Sequence, residues 1–214
     1  MNMDEIRKVA NHPMWHDGER SVLEFCYPVP VTPWQAGYRT LRGWKSLAER
    51  HIVDKKIAPY TLVDSVPEDE LYEMGVFWCA KSPQSHMGPF LNAVDFLVPD
   101  GTPILAAAEG EIVELVEDNT EWGDGDRYRD TLNFMTLVHQ SGELTQYCHL
   151  AKNSVSQLGL RVGSGIKQGQ RIATVGKTGW TDRDHLHFLV FRDDKKNLEN
   201  PFGFKSLVPR FTLL

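Results

Sequence analysis

The chain of 214 residues is long enough for one domain with a substantial core plus an appendage, or for two small domains. Hydrophobic residues make up 41% and charged residues 24%, which is ordinary for a globular protein. The formal net charge is −6 and no block rich in Lys and Arg occurs, so the composition argues against nucleic acid as a partner.

Two segments near the start of the chain predict helices. EIRKVA is a short helix candidate. In YRTLRGWKSLAERHI (38–52), charges stand between apolar residues that recur at helical spacing, namely Leu41, Trp44, Leu47 and Ala48. We therefore expect an amphipathic helix over this segment.

A third helix is predicted over SVPEDELYEMG (65–75). Ser65 can cap its start and Glu68 completes a capping box. Pro67 suits the first turn of a helix, and Gly75 can end it.

From about residue 76 the sequence becomes a series of short apolar or alternating runs. They are GVFWCA, NAVDFLV, PILAAA, EIVELVE, TLNFMTLVH, LTQYCHL, RIATVG and HLHFLVF, with turn signals such as PDGT, QSGE and GKTGW between them. Short strands separated by glycine turns predict an all-β domain with a boundary near residue 75. EDNTEWGDGDRYRD is polar and predicts a loop between strands.

The last of these runs places two histidines on either side of one leucine. If HLHFLVF is a strand, His185 and His187 share one face and lie roughly 6–7 Å apart. Leu186, Phe188 and Val190 then take the opposite face, which suits a core. Taken alone, the pair fits a solvated sheet face as well as it fits a functional site.

Three further residues favour a functional site. His149 stands at the end of the apolar run LTQYCHL, and His86 stands nine positions before Asp95. Asp95 interrupts the hydrophobic run NAVDFLV, and a carboxylate in a buried strand is costly unless it is paired or bound to a metal. The alternative is a buried aspartate that caps a turn or pairs with an arginine.

Two histidines and one aspartate suit zinc as ligands. Catalytic zinc sites use three protein ligands and leave the fourth position open. Zinc activates water and polarises a carbonyl oxygen, and further histidines can move protons or stabilise an oxyanion. The sequence contains no HExxH motif, so the glutamate base of that protease design is absent.

His139 and the cysteines are weaker candidates for a functional site. His139 adjoins a turn, which predicts a strand-end or surface histidine. Cys148 precedes His149, but neighbours on a strand point to opposite faces, so a core thiol is favoured over a cysteine protease. The cysteines are widely spaced, form no CxxC motif and are expected to be reduced: Cys26, Cys79 and Cys148.

Four motifs occur in a fixed order: SHMGPFLNAVDFLVPDGTPILAAAEGEIV, YCHL, GSGIKQGQRIATVGKTG and DHLHF. Over about residues 75–205 they resemble the lysostaphin/LytM-type family of zinc metallopeptidases, which cut peptidoglycan cross-links. The strand pattern and this resemblance predict a mainly β fold, an antiparallel sandwich or half-barrel of the duplicated-hybrid-motif type. We expect a smaller helix-containing region at 1–75, the metallopeptidase domain at 76–206 and a tail at 207–214.

The resemblance also implies roles for five side chains. His86, Asp95 and His187 would hold Zn²⁺. His149 and His185 would face the scissile peptide, where they orient or deprotonate water and stabilise the tetrahedral intermediate. The sequence leaves the division of these roles between the two histidines open.

The ligand spacing departs from a common pattern of the family. Many members have histidine and aspartate as HxxxD, whereas position 91 here is Leu91. The sequence resembles a longer form of the motif, in which the loop MGPFLN must bring His86 back to the metal.

Residues that flank the motifs are candidates for supporting roles. Phe90, Trp122 and Trp180 fit the lining of a substrate groove as readily as ordinary turn packing. Arg183 and Asp184 precede the histidine pair and are candidates for orienting it.

Two functions other than hydrolysis stay open on the sequence. Some relatives of this family have lost ligands and act as binding or regulatory modules, but all five positions are filled here. Phosphohistidine carriers share the general β architecture and use a histidine pair, but His86 and Asp95 are better explained by a metal.

The resemblance implies a peptide or peptidoglycan substrate, with either glycyl bridges or D-alanyl–diamino acid bonds as the target. The first residues, MNMDEIRKVANHPMWHDGER, have no apolar signal core, and no run approaches the roughly 18 apolar residues of a membrane span. As written, the chain is expected in the cytoplasm, whereas the family role implies the periplasm or the exterior. We expect a monomer, and the N-terminal third is a candidate cover over the groove.

Overall fold

The computed structural model describes residues 3–38, 40–47 and 66–212. Short helices lie near the start of the chain: α1 (Met3–Val9), α2 (Pro33–Ala36) and α3 (41–47). Helices α1 and α3 confirm two of the predicted helices, although residues 48–52 of the second lie outside the described residues. Among the described residues, every helix falls short of the length and hydrophobicity that a membrane crossing requires.

The described residues form one large antiparallel sheet, which confirms the predicted mainly β fold. Its strands in spatial order are β10 (Gly165–Ile166), β6 (Gly110–Val116), β8 (Phe134–Val138), β9 (Leu144–Cys148), β13 (Leu186–Asp193), β4 (Val94–Phe96), β3 (Phe77–Ala80) and β2 (Leu71–Met74). Strand β14 (Phe204–Ser206) also pairs with β13. Consecutive strands joined by short glycine turns, such as β8 and β9, lie side by side as expected for hairpins.

Three two-stranded pairs complete the described fold. Strand β1 (Arg20–Cys26) runs parallel to β15 (Val208–Thr212), so the two ends of the chain meet. Strand β5 (Pro103–Leu105) pairs antiparallel with β11 (Arg171–Thr174). The polar segment predicted as a loop contributes β7 (Trp122–Gly123), which runs parallel to β12 (Gly179–Trp180), and a 3-10 helix (Asp126–Thr131).

The main hydrophobic core lies on one face of the large sheet. Alternate residues of β13 enter it, because Leu186, Phe188 and Val190 are all buried there. Residues of β1, β5 and β11, including Phe25 and Ile104, cover this face. The alternation predicted from HLHFLVF is therefore confirmed, and it leaves the opposite face of β4, β9 and β13 for other side chains.

A second apolar cluster lies on that opposite face, toward the end of the sheet formed by β3 and β2. Trp78 and Ala80 of β3 contribute to it together with Trp44 of α3. Leu41 and Leu47 pack against this cluster, so the helical spacing of these apolar residues serves to attach α3 to the sheet.

The helix predicted over 65–75 is wrong for the described residues 66–75. A 3-10 turn (Glu68–Glu70) leads into strand β2, which pairs with β3 around Gly75 at φ +63°. Glu68 is not part of a capping box with the described residues, because the N-cap is Pro67 and no side chain caps the turn. Ser65 lies outside the described residues.

The reason for this error is visible in strand β2 itself. Leu71 packs on the second apolar cluster, whereas Tyr72 and Met74 pack on the main core, so LYEM has a period of two residues as well as capping signals. Pairing with β3 then decides the outcome, since tertiary contacts override local helix signals. Strand β2 precedes the predicted boundary near residue 75, and the boundary itself stays a prediction.

Candidate metal centre

Three side chains meet on the face of the sheet opposite the main core. Asp95 of β4 and His187 of β13 are directly opposite each other in the strand register. The Nδ1 atom of His187 lies 2.8 Å from Oδ1 of Asp95, and Nε2 of His86 lies 3.1 Å from the same oxygen. The two histidine nitrogens are 3.3 Å apart. The structure thus brings together His86, Asp95 and His187, which the sequence predicts as ligands.

The long loop brings His86 back to Asp95 by a compact turn. The backbone N–H of His86 donates to the carbonyl of Ser82 over 2.6 Å, and a 3-10 helix (Gly88–Phe90) follows directly. The N–H of Ala93 then donates to the carbonyl of Phe90, and β4 begins at the next residue. Six residues between His86 and Ala93 are therefore used in turns, so the greater spacing still places the imidazole on the carboxylate.

The Asp95 carboxylate is ionised in this setting. Burial by itself raises its pKa, but the neighbouring His86, His185 and His187 outweigh burial and hold the pKa well below its usual range. Burial lowers the pKa of His187, although its hydrogen bond to Asp95 acts in the opposite direction. An anionic carboxylate and a neutral imidazole are the forms in which these residues bind metals.

His149 follows the last residue of β9 and has a left-handed backbone, with φ at +61°. Its Nδ1 atom donates to the carbonyl of Thr178 over 2.7 Å, because a carbonyl oxygen can only accept. This leaves Nε2 with the free lone pair. Burial holds the pKa of His149 well below its usual value, and His185 and His187 lower it further, so the ring is neutral at pH 7.

Close contact between two backbone segments fixes the carbonyl that orients His149. The N–H of Gly176 donates to the carbonyl of His149 over 2.8 Å. A Cβ atom at Gly176 would lie 2.5 Å from Cα of Ala151, so only glycine allows this approach. Gly176, the first glycine of VGKTGW, therefore positions the Thr178 carbonyl two residues later.

His185 lies beside His149, with ring centroids 4.5 Å apart. Its Nδ1 atom donates to the carbonyl of Arg183 over 3.1 Å, and its Nε2 atom lies 3.7 Å from Oδ1 of Asp95. Thr181 binds the same carbonyl through its hydroxyl over 2.8 Å and so fixes the turn before the strand. Both histidines predicted as catalytic thus present Nε2 as the nitrogen without a backbone partner.

A pocket of about 480 Å³ is lined by Asp95, His149, His185 and His187, but not by His86, and it continues along the sheet face. Of the three aromatic residues left open between groove lining and turn packing, Phe90 and Trp180 line the pocket, whereas Trp122 does not and is 45% exposed. Ile6 of α1 also lines the pocket, so the N-terminal region reaches the groove at this point.

The donor atoms of the three meeting residues can hold one metal ion. One atom from each of His86, Asp95 and His187 lies within 4.8 Å of the other two. Two imidazole nitrogens and one carboxylate oxygen form the donor set of catalytic zinc sites, which leave a further position open. The residues present therefore fit a divalent ion of this kind.

Comparison with known proteins identifies the family. The sequence model of peptidase family M23 matches residues 89–200, which is more than half of the chain. The chain belongs to peptidase family M23. His86 lies just before the matched range, so its place beside Asp95 is a separate observation of this structure.

Named relatives of this M23 chain include endopeptidases. The peptidoglycan DD-endopeptidase ShyC of Vibrio cholerae is 35% identical over 97 residues, which cover 45% of this chain and 19% of ShyC. The glycyl-glycine endopeptidase ALE-1 of Staphylococcus capitis is 38% identical over 114 residues, which cover 52% of this chain and 28% of ALE-1. The catalytic domain of lysostaphin from Staphylococcus simulans is 34% identical, with 46% of this chain and 65% of that chain covered and a TM-score of 0.36. The chain spans less than a third of the length of the curated relatives that it matches.

Two side chains differ in part from expectation. Cys148 is buried, as expected, but it lines the pocket opposite His187 instead of joining the main core. Burial raises the pKa of its thiol well above the usual range, so a thiolate nucleophile is disfavoured. His139 ends a strand as expected, but it is buried between the Glu109 carbonyl and the Thr145 hydroxyl and is not a surface residue.

Sequence reasoning named Arg183 as a candidate for orienting the histidine pair, but it missed Ser82 and Thr178. The Ser82 hydroxyl donates to Oδ2 of Asp95 over 2.6 Å. The carbonyls of Thr178 and Arg183 orient the two catalytic candidates, and carbonyl positions leave no mark in a sequence. The glycine at 176 was the one signal that pointed to a close backbone approach near Thr178.

Proposed function

We propose that this chain is a zinc-dependent endopeptidase that cleaves peptide cross-links of bacterial peptidoglycan. The observation that carries this proposal is the meeting of His86, Asp95 and His187 beside a pocket that His149 and His185 also line. Membership of peptidase family M23 supports a peptidase, and the names of relatives support peptidoglycan as the substrate.

Zinc is the proposed metal because of the donor set. His86 and His187 would supply imidazole nitrogens, and Asp95 would supply a carboxylate oxygen. Zinc supplies Lewis acidity at such a site, which polarises a carbonyl group and makes water more acidic.

The proton transfers fall to His149 and His185 in this proposal. Both rings use Nδ1 as a donor to a backbone carbonyl, so each has Nε2 available toward the substrate. A neutral Nε2 can accept a proton from water, and the protonated ring can then donate to the oxyanion or the leaving amine. The division of these two steps between the histidines is left open.

The substrate proposal comes from the relatives. One relative is named for D,D-bonds and another for glycyl-glycine bonds, and we propose a peptide cross-link without choosing between them. Because peptidoglycan lies outside the cytoplasmic membrane, the proposed enzyme acts in the periplasm or at the exterior.

Digestion of purified peptidoglycan, with mass analysis of the released peptides, tests the proposal. Peptides with one new amino and one new carboxyl terminus should appear, and a chelator should abolish them. Added zinc should restore release. Peptidoglycan binding without any release, in protein shown to contain zinc, would contradict the enzyme proposal and favour a binding module.

A further inference from the structure

We propose that Ser82 is a positioning residue of the metal centre, which orients two of its three ligands. This inference rests on the proposed function, since it assigns a role toward the zinc ion. Ser82 stands two residues beyond Ala80, the residue of β3 that lies directly opposite Asp95. No ligand role is assigned to Ser82 itself.

The two oxygens of the Asp95 carboxylate have different partners, and the Ser82 hydroxyl binds one of them. It donates to Oδ2 over 2.6 Å, which is the length of a strong hydrogen bond to an ionised acceptor. The other oxygen, Oδ1, faces both histidine nitrogens, at 3.1 Å from His86 and 2.8 Å from His187. Rotation of the carboxylate is therefore restricted, and a single oxygen points to the metal position.

The Ser82 carbonyl positions the second ligand. It accepts the backbone N–H of Ser85 over 2.9 Å and that of His86 over 2.6 Å. These two hydrogen bonds close the turn that brings His86 back to Asp95. The Ser82 hydroxyl holds the carboxylate of that same Asp95. One residue thus joins the loop ligand to the strand ligand through two different atoms.

Loss of the hydroxyl should act on the metal more than on the fold. The Asp95 side chain is only 5% exposed, so water has little access to replace the missing donor. Groups that orient metal ligands typically account for about 10–100-fold in metal affinity. The carbonyl contacts are made by the backbone and are unchanged by a side-chain substitution.

A zinc competition titration against a chromophoric chelator tests this inference. We expect Ser82→Ala to raise the dissociation constant of zinc by about 10–100-fold. Ser85→Ala is the matched control, because the Ser85 hydroxyl contacts the Ser82 carbonyl at 3.4 Å and makes no hydrogen bond to Asp95 among the described residues. Its zinc affinity should stay within about 3-fold of the unmodified chain.

A second pair of variants isolates the hydroxyl should alanine reduce the yield of folded protein. Threonine and valine have the same shape, but only threonine keeps the donor. Ser82→Thr should therefore bind zinc more tightly than Ser82→Val by the same factor, while the metal-free forms melt at similar temperatures.

The outcomes separate this inference from the proposed function. The role of Ser82 would be overturned, and the proposed function left standing, by either of two results. One is equal zinc affinity in Ser82→Ala and the unmodified chain, and the other is equal weakening of zinc binding in Ser82→Ala and Ser85→Ala. Failure of the unmodified chain to bind zinc would overturn the proposed function. Weaker binding confined to the variants that lack the Ser82 hydroxyl supports both.

Discussion

The two sides of the pocket are held together by different kinds of contact. On the metal side, Asp95 contacts His86, His187 and the Ser82 hydroxyl, so side chains hold one another. On the other side, His149 and His185 are each held by a backbone carbonyl. A backbone carbonyl fixes the tautomer as well as the position of an imidazole.

This difference predicts how each side responds to change. Substitution of a side chain on the metal side should reduce metal binding, since the partners there are side chains. The carbonyls on the other side belong to residues 178 and 183, so that side depends on how the segment 176–184 is packed. The four predictions below test this division.

The largest effect is expected for His187→Ala. It removes a nitrogen that lies 2.8 Å from Asp95 and leaves two of the three proposed ligands. Because several kcal/mol of transition-state stabilisation depend on the metal, peptidoglycan cleavage should fall by roughly 10³-fold or more. Zinc content, measured on purified protein together with the rate, should fall in parallel.

An exposed histidine provides the control for this prediction. His12 caps a short 3-10 helix (Pro13–Trp15) far along the chain from the ligands, and His12→Ala should keep both zinc and activity. Full zinc content in His187→Ala would remove His187 from the ligand set and undo the distinction between the two sides.

The next largest effect is expected for His149→Ala. Loss of a group that moves protons typically costs about 10²–10⁴-fold in rate. The ring centroids of His149 and His187 are 6.1 Å apart, and His149 has no hydrogen bond to Asp95 among the described contacts. Zinc affinity should therefore remain within a few-fold of the unmodified chain. A variant that is inactive because it has lost zinc would place His149 on the metal side.

Alternation along strands explains why so much of the site was predictable from the sequence. A period of two residues separates His187 from Leu186 and Phe188, and Asp95 from Val94 and Phe96, so that each polar side chain leaves the core face of its strand. An aspartate inside an apolar run then indicates a site, because burial of an isolated carboxylate is costly.

Features that depend on distant parts of the chain were not predictable in this way. Strand β1 pairs with β15 across nearly the whole sequence, and Phe25 of β1 enters the main core. The Ser82 hydroxyl reaches Asp95 only because a turn and the pairing of β3 with β4 place them together. Such contacts join residues whose local sequences carry no shared pattern.

The segment that supports the second side contains a buried ion pair. Lys177 pairs with Asp184, whose side chain is fully buried, and the Lys177 ammonium also lies over the Trp122 ring at 4.7 Å from its centre. Lys177→Met removes the cation and leaves the carboxylate buried, which should reduce the free energy of unfolding by about 3 kcal/mol. Urea denaturation measures this change.

A double variant checks that the ion pair is the cause of this loss. Lys177→Met combined with Asp184→Asn also removes the buried negative charge, so it should recover part of the loss. Zinc affinity should change little in either variant, because the pair lies next to the catalytic histidines and not among the ligands. A large loss of zinc would show that the two sides are coupled through this segment.

The smallest effect concerns Asp100, whose backbone N–H donates to Asp184 over 3.3 Å. Burial, and then the charge of Asp184, raise the pKa of Asp100 from 3.8 to about 6. The folded state therefore holds this proton more tightly than the unfolded state, and stability is lost as the pH rises from about 4 through about 6. Because the group is partly exposed, Asp100→Asn should gain about 1–2 kcal/mol at pH 7.5 and almost nothing at pH 4. Urea denaturation at both pH values measures the difference, and an equal gain at pH 4 would show that ionisation of Asp100 is not its cause.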